Sequence, residues 1–357
     1  MHIRKYGQIR RTGTAAGAAA AILALSAACV APGSGSGAAG AGTAATASQG
    51  AQSAQGDAGA RKRIAFFGFA RANAFAVATW NGIEEQAKAD NATAEFFDPN
   101  FDAQTQVQQI QDAVTSKRFD VFVVQANDGA AVVPALKQAV AAGITVVAEF
   151  TPVGTAYDTT RSQVPGVITL VDVPADNGRK LGELGVAACR SKNLKPCKVA
   201  YLEGLKSLPL DNSRTEAAVK ALEAADGVEL VSRVEGGYTR ESGRKAMQDV
   251  LQAQPDVDVV IGSSQAVAGA ESVVKGTGVL LVGNGGSRQA VKAVQDGRWF
   301  ATYYLPEKTA GAKAAELGLA KARGGQVQEA NSETALAPNE GKGTKEALAG
   351  VTGEYDE

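Results

Sequence analysis

From residue 61 onward, short apolar runs alternate with longer stretches in which apolar residues recur at helical spacing. The runs predict strands at 64–69, 94–98, 121–125, 144–148, 167–171, 198–202, 228–234, 258–262, 279–283 and 300–304. The intervening patterns predict helices at 74–90, 103–117, 130–142, 176–190, 213–225, 240–253, 266–275, 287–295 and 308–323. Alternation of this kind implies an α/β architecture of parallel sheets with helices on both faces. Pro99, Pro255 and several glycines punctuate the joints.

The stretch RIAFFGFARANAFAVATWNG (63–82) organises the first unit. Ile64 to Phe69 is almost wholly apolar, as in a strand covered on both faces, and the period changes at Ala74. The loop at 70–73 therefore sits at the carboxyl end of a strand, where open α/β sheets bind ligands. It carries no GxGxxG and no GxxxxGK[ST], which argues against a nucleotide phosphate cradle. Asn73 followed by Phe75 suits a small uncharged molecule.

A repeat lies deeper in the chain. FDVFVVQANDGAAVVPALKQAVAAGITVVAEF (119–150) and VDVVIGSSQAVAGAESVVKGTGVLLVGNGG (257–286) share a strand, a polar turn, a helix and a second strand. Two similar lobes would face each other, each presenting strand-end loops to a shared cleft. Asn127-Asp128 and Ser263-Ser264 fall at matching turns, where helix capping is the alternative role.

The first 28 residues read differently. A basic start (Arg4, Lys5, Arg10, Arg11), an apolar segment from Ala15 to Leu25 and then Ser26-Ala27-Ala28-Cys29 form a secretory signal. The apolar segment is short for a bilayer span, and small residues ending in Cys29 match a lipobox, in which the cysteine is lipidated and becomes the new N-terminus. Cleavage nearby with Cys29 incidental is the alternative. Residues 29–60 then form a flexible linker, with Ala31 to Ala60 built of Gly, Ala, Ser, Thr and Gln with almost no charge. As a coil it would hold the folded part roughly 30 Å from its anchor.

Removing 1–28 takes four basic residues and no acidic ones, leaving 32 basic against 37 acidic, a balance of −5. Nucleic acid is a poor partner for such a chain. The only histidine, His2, leaves with the signal. Histidine-based triads, a histidine general base and a histidine zinc site are thereby excluded. Cys189 and Cys197 flank a turn, and in an oxidising compartment they would form a disulfide; two buried free thiols are the alternative.

In ANAFAVATWNGIEEQAK (72–88), AGITVVAEF (142–150), NSRTEAAVKALE (212–223), QPDVDVVIGSS (254–264), VLLVGNGG (279–286) and VQDGRWFATYYLPEKTAGAKAAEL (294–317), the chain resembles the type I periplasmic substrate-binding proteins of the ribose and galactose class. Lac-repressor-type regulators share that fold in their sensor core. The order and spacing of these pieces carry the likeness, over about residues 61–336. The resemblance implies two Rossmann-like lobes with parallel sheets joined by three hinge crossings, 61–171 with 305–336 in the first and 172–304 with 337–357 in the second. It also implies a small molecule held in the cleft and delivered to an ABC transporter permease, with no cofactor and no metal. The lipoprotein signal in place of a helix-turn-helix favours uptake over repression.

Site residues follow position by position from the resemblance. Asn73 and Phe75 match the first-loop asparagine and first aromatic of sugar binders, with Ala76 in place of the second aromatic. Phe150 and Thr151 fall where ribose binders have Asp-Arg. Asn212 stands at the sugar-contacting arginine, and Arg214 matches a second arginine of that motif. Tyr238 matches an aromatic before the next helix, Ser264 a ligand-binding asparagine with Gln265 as a substitute, and Tyr304 falls near the glutamine of the last hinge. Gly285, next to Asn284, replaces an aspartate. With Asp and Arg missing from several places, charge-assisted bonds to hydroxyls are fewer and ribose itself is a poor fit. The expected pocket stacks on Phe75, Phe150, Tyr238 and Tyr304 and hydrogen-bonds through Asn73, Thr151, Asn212, Ser264, Gln265 and Asn284. Trp80 and Trp299 are expected to be structural.

The leading reading is a monomeric, lipid-anchored extracytoplasmic solute-binding protein of an ABC importer for a small neutral sugar, sugar alcohol or similar ligand. A binding protein that presents its loaded form to a membrane receptor would use the same lobes. An extracellular enzyme is disfavoured by the missing histidine and by the lack of a carboxylate pair with readable spacing.

Overall fold

The computed structural model describes residues 61–357. Cys29, the signal over 1–28 and the linker over 29–60 lie outside the described residues. Strand β1 (Arg63–Phe67) leads through α1 (Ala74–Ala89), β2 (Thr93–Phe97), α2 (Ala103–Ser116), β3 (Val121–Val124), α3 (Val133–Ala141) and β4 (Thr145–Phe150) to β5 (Val167–Val171). A second run follows: α4 (Pro174–Lys192), β6 (Cys197–Glu203), α5 (Pro209–Glu223), β7 (Val228–Glu235), α6 (Arg240–Ala253), β8 (Val259–Gly262), α7 (Ser264–Val274), β9 (Leu280–Asn284), α8 (Arg288–Gln295) and β10 (Ala301–Tyr303). The chain ends its regular structure with α9 (Glu307–Ala322), β11 (Ala330–Ser332) and, after two short 3-10 turns, β12 (Lys342–Thr344).

Two six-stranded sheets result, ordered β2-β1-β3-β4-β5-β11 and β7-β6-β8-β9-β10-β12. Every pairing is parallel except β10 with β12. The inner strands are largely apolar because both faces are covered: Ile64 and Phe66 of β1 pack in one core, Ala65 and Phe67 in another. The two repeated segments, β3-α3-β4 and β8-α7-β9, occupy the same third and fourth places in their sheets.

The strands and helices expected from the apolar pattern are all present, with ends shifted by up to four residues. Pro134 and Pro174 account for two of the shifts, each setting the first turn of its helix. Strands β11 (ANS) and β12 (KGT) were not expected, since neither carries an apolar run. Trp80 packs beside Phe66 and Phe96, with ring centroids 6.3 and 5.8 Å away. Trp299 is buried, and its indole N–H donates to Glu271 at 2.9 Å. Among the described residues no helix is long and apolar enough to cross a membrane.

Glycine sets the closest helix contacts. A Cβ at Gly82 of α1 would be driven into the carbonyl oxygen of Lys308 in α9, and one at Gly311 of α9 into the carbonyl oxygen of Thr79. The second lobe repeats the device where Gly178 of α4 meets the carbonyl oxygen of Arg214 in α5. The far end of α4 is tied to β6 by a disulfide between Cys189 and Cys197, whose Cα atoms lie 5.6 Å apart. Because backbone cannot yield as a side-chain tip can, Gly82→Ala is expected to destabilise the protein by about 1–3 kcal/mol. An unchanged midpoint in urea unfolding would show that the α1–α9 contact is slack.

Candidate functional site

The chain passes between the sheets three times: from β5 to α4, from β10 to α9, and from β11 to β12. Between the carboxyl ends of the two sets of parallel strands lies a cavity that leaves about 50 Å³ for the centres of water-sized molecules, several times what a single water needs. Its lining includes Phe69, Asn73, Phe75 and Phe150 from the first lobe and Leu210, Arg214, Tyr238, Gln265 and Asn284 from the second.

On the first-lobe side, Asn73 has two tasks. Its Oδ1 accepts from the Ala76 amide at 2.9 Å and caps α1, which leaves the Nδ2 donor for the cavity. Phe150 closes β4 in the left-handed region, with φ at +58°. A phenylalanine is rarely found there, and two bonds hold it: its N–H donates to Glu333 Oε1 at 2.9 Å and its carbonyl accepts from the Asp172 amide at 3.0 Å. The ring meets Phe75 edge-on at 4.6 Å and Phe69 at 6.0 Å. Phe101, behind Phe69, lies nearly parallel to Tyr238 of the other lobe at 6.5 Å.

Helix α5 presents the charged group of the second-lobe side. Leu210 and Arg214 are four residues apart and share one face, which points into the cavity. Arg214 Nη1 donates to Asp211 Oδ1 at 3.1 Å and to the Tyr238 hydroxyl at 3.2 Å, and that hydroxyl donates to the same carboxylate oxygen at 2.5 Å. The guanidinium also lies 5.8 Å from the centre of the Phe150 ring. Asn284 Nδ2 donates to Asn177 Oδ1 at 2.7 Å, and Asn177 in turn donates to Asp172 at the first crossing.

Of the ten expected ligand residues, the structure brings Asn73, Phe75, Phe150, Tyr238, Gln265 and Asn284 to the cavity wall and leaves four outside it. Asn212, two positions from Arg214, is turned to the far side of α5, where its amide donates to the Lys206 carbonyl at 3.1 Å. Thr151 is buried behind Phe150. The Ser264 hydroxyl faces the carboxylate of Glu357 and occupies the space into which a side chain at Gly285 would project. Tyr304 packs into the second lobe's core, while the preceding Tyr303 turns its hydroxyl to Asp172 Oδ1 at 2.7 Å. The pocket is therefore not charge-poor, since Arg214 enters it where Asn212 does not. Helical spacing from Leu210 is the signal that singles it out. Phe69, Leu208 and Tyr355 also line the wall without having been expected there, and Tyr355 lies on a segment with no periodicity to betray it.

Behind Phe150 stand three fully buried carboxyl groups, Glu149, Glu307 and Glu333. Glu307 is the first residue past the second crossing and Glu333 the first past β11. Burial pushes Glu149 up to about 8, with Gln125, Glu333 and Thr79 acting in the opposite sense. Burial, then the charges of neighbouring carboxylates, Glu149 first, raise Glu307 and Glu333 well above the ordinary range. Neither oxygen of Glu149 or of Glu307 has a partner at hydrogen-bond distance among the described residues, and burial weighs against their charged forms. No group of three or more such side chains among the described residues is arranged to hold a metal ion.

Comparison with known proteins now decides the family. Residues 64–326 match the family model described as "Periplasmic binding protein domain". The chain belongs to that family. The ribose import binding protein RbsB of Bacillus subtilis is 27% identical over 64% of this chain and 72% of its own length, and the Escherichia coli RbsB 26% identical over 72% and 83%. Among solved structures, an ABC transporter solute-binding protein from Mycobacterium smegmatis with bound glycerol is 26% identical, with a TM-score of 0.68 over 82% of this chain and 98% of that one. One from Bacillus halodurans with bound myo-inositol shares the fold at a TM-score of 0.69, 20% identity and coverages of 84% and 100%. The periplasmic-binding-protein type I architecture of two α/β lobes is thus common to this chain and these solved structures.

The three glutamates give this binding-protein fold a pH signature. Their folded pKa values lie above that of an exposed carboxyl, so the unfolded chain releases protons first and their contribution to stability falls as pH rises. For Glu149 it is complete below about pH 4.5 and is lost as pH rises through about 8. Paired surface carboxylates such as Asp256 with Lys198 sit below the ordinary range and titrate outside this window. The thermal midpoint is expected to be higher at pH 5.5 than at pH 8, and Glu149→Gln should flatten the difference. An equal fall in wild type and variant would remove Glu149 from the account.

Proposed function

We propose that this chain is the solute-binding component of an ABC importer and holds a small neutral sugar or polyol between its lobes. The observation that carries this reading is the cavity wall itself: aromatic rings that meet edge-on at one side and, at the other, Arg214 and Tyr238, both bonded to Asp211, with the amides of Gln265 and Asn284. Rings accept the C–H face of a saturated ring or carbon chain, while the Arg214 guanidinium and the amides exchange hydrogen bonds with its hydroxyls. Because Arg214 is already neutralised by Asp211, a strongly anionic ligand gains little there. The relatives named for ribose import and the neighbours solved with glycerol, D-allose and myo-inositol support this ligand class.

The partner in this reading is a membrane permease, and the protein acts as a monomer outside the cytoplasm. Residues 61–171 with 305–336 and 172–304 with 337–357 move as the two lobes. Cys29 carries the lipid anchor and the linker over 29–60 gives the lobes their reach. Cell fractionation tests the anchor: Cys29→Ala is expected to move the protein from the membrane to the soluble fraction, and retention on membranes would place the anchor elsewhere.

Calorimetric titration and thermal shift against ribose, allose, myo-inositol and glycerol test the ligand class; a ligand at 100 times its dissociation constant adds about 2.7 kcal/mol. Phe150→Ala and Tyr238→Ala should each weaken binding roughly 30-fold, about 2 kcal/mol, if the rings contact ligand. Denaturant unfolding of the same variants separates pocket from core, since truncating a core ring costs about 3–5 kcal/mol. Unchanged affinity with that stability loss would assign the rings to the core and leave the proposed site without these aromatic contacts from either lobe.

A further inference from the structure

The segment Gly353–Glu357 belongs to no helix or strand, yet nearly every residue in it is fixed. Gly353 runs so close to the backbone of Ser287 and Arg288 that a Cβ would collide with it. The Arg288 amide donates to the Tyr355 carbonyl at 2.8 Å, the Gly286 amide to the Tyr355 hydroxyl at 3.3 Å, and the Arg288 guanidinium to Asp356 at 2.8 Å. Glu357 is held by the side chains of Ser264 and Gln289. These anchors sit at the starts of α7 and α8, in the second lobe.

Two contacts leave that lobe. The Tyr355 ring, 5% exposed, lines the cavity and faces Phe75 edge-on at 6.4 Å. The Glu354 carboxylate accepts from the Thr309 amide at 2.9 Å and from the Thr309 hydroxyl at 2.5 Å. Thr309 lies in the first turn of α9, which packs on the first sheet, and Pro306 at the head of that helix supplies no side-chain cap. The amides of a first turn need an outside acceptor, and a negative charge is favoured there. Glu354 thus caps a helix of one lobe from a segment fastened to the other.

We propose that this segment is a strap that completes the ligand site: Tyr355 forms a wall against which the ligand is positioned, and the Glu354 cap on α9 sets how long the lobes stay closed. The inference rests on the ligand reading above for Tyr355, whereas the cap is made wholly by protein groups, Glu354 and Thr309. Binding and release of D-ribose, D-allose, myo-inositol and glycerol are measured on the full chain by calorimetry and stopped flow, and amide exchange over 306–312 by mass spectrometry without ligand. Tyr355→Ala should weaken binding by about tenfold or more, while Tyr355→Phe keeps the wall and stays within about threefold of wild type. Glu354→Ala should speed release by roughly three- to tenfold, the worth of a lost cap, and accelerate exchange at Thr309 in the absence of ligand. Unchanged exchange overturns the cap, and unchanged affinity in Tyr355→Ala for a sugar that wild type binds overturns the wall. Failure of wild type to bind any of the four sugars and polyols overturns both the ligand class and the wall, while exchange still decides the cap.

Discussion

The arrangement depends on what happens where the chain crosses between the lobes. Each crossing meets a buried acid at its edge: Asp172 after β5, Glu307 at the head of α9, Glu333 after β11. Burying three ionised carboxylates together would be prohibitive, so the geometry holds only while most of these groups keep their protons or find donors. Asp172 finds them in Tyr303 and Asn177, one residue from each of two crossings' second-lobe flanks. Glu333 spends one oxygen on the Phe150 amide. The hinge is thereby a set of neutral or paired acids, and its polar bonds are made to backbone and side chains of both lobes.

Phe150 is the point where hinge and cavity meet. Its left-handed backbone is unusual for an aromatic residue, and the bonds that hold it come from Glu333 and Asp172, both at crossings. The ring reaches the cavity wall because the backbone turns there. A rearrangement at the crossings would therefore be felt at this ring before it reached the outer loops, which links the geometry of the crossings to the shape of the wall.

The fold was legible because buried parallel strands leave a coarse signature, apolar runs separated by helical spacing. Strands β11 and β12 left none, being three polar or small residues each whose pairing is set by the neighbouring strand. The site was readable only where a residue's direction follows from its place in the chain. Asn73, Phe150 and Asn284 sit at strand ends or helix starts and come to the cavity, whereas Asn212 and Tyr304 are each displaced by a rotation that aligned positions do not reveal. On α5 two residues of offset turn a side chain to the opposite face, and on β10 one residue does the same. The buried acids were not legible at all, since glutamates in a sequence look alike whether they face solvent or a core.

The glycine contacts bear on how such a molecule can move. Helix α9 begins at the second crossing and is pressed backbone to backbone on α1, and α4 begins at the first crossing and is pressed in the same way on α5. No layer of side chains lies between these axes at Gly82, Gly311 or Gly178, so neither pair has anything to slide upon. A torsion at a crossing is then carried along a stiff rod into the body of its lobe and reaches the cleft mouth without being absorbed on the way. In mechanical terms the lobes are levers and the crossings their bearings.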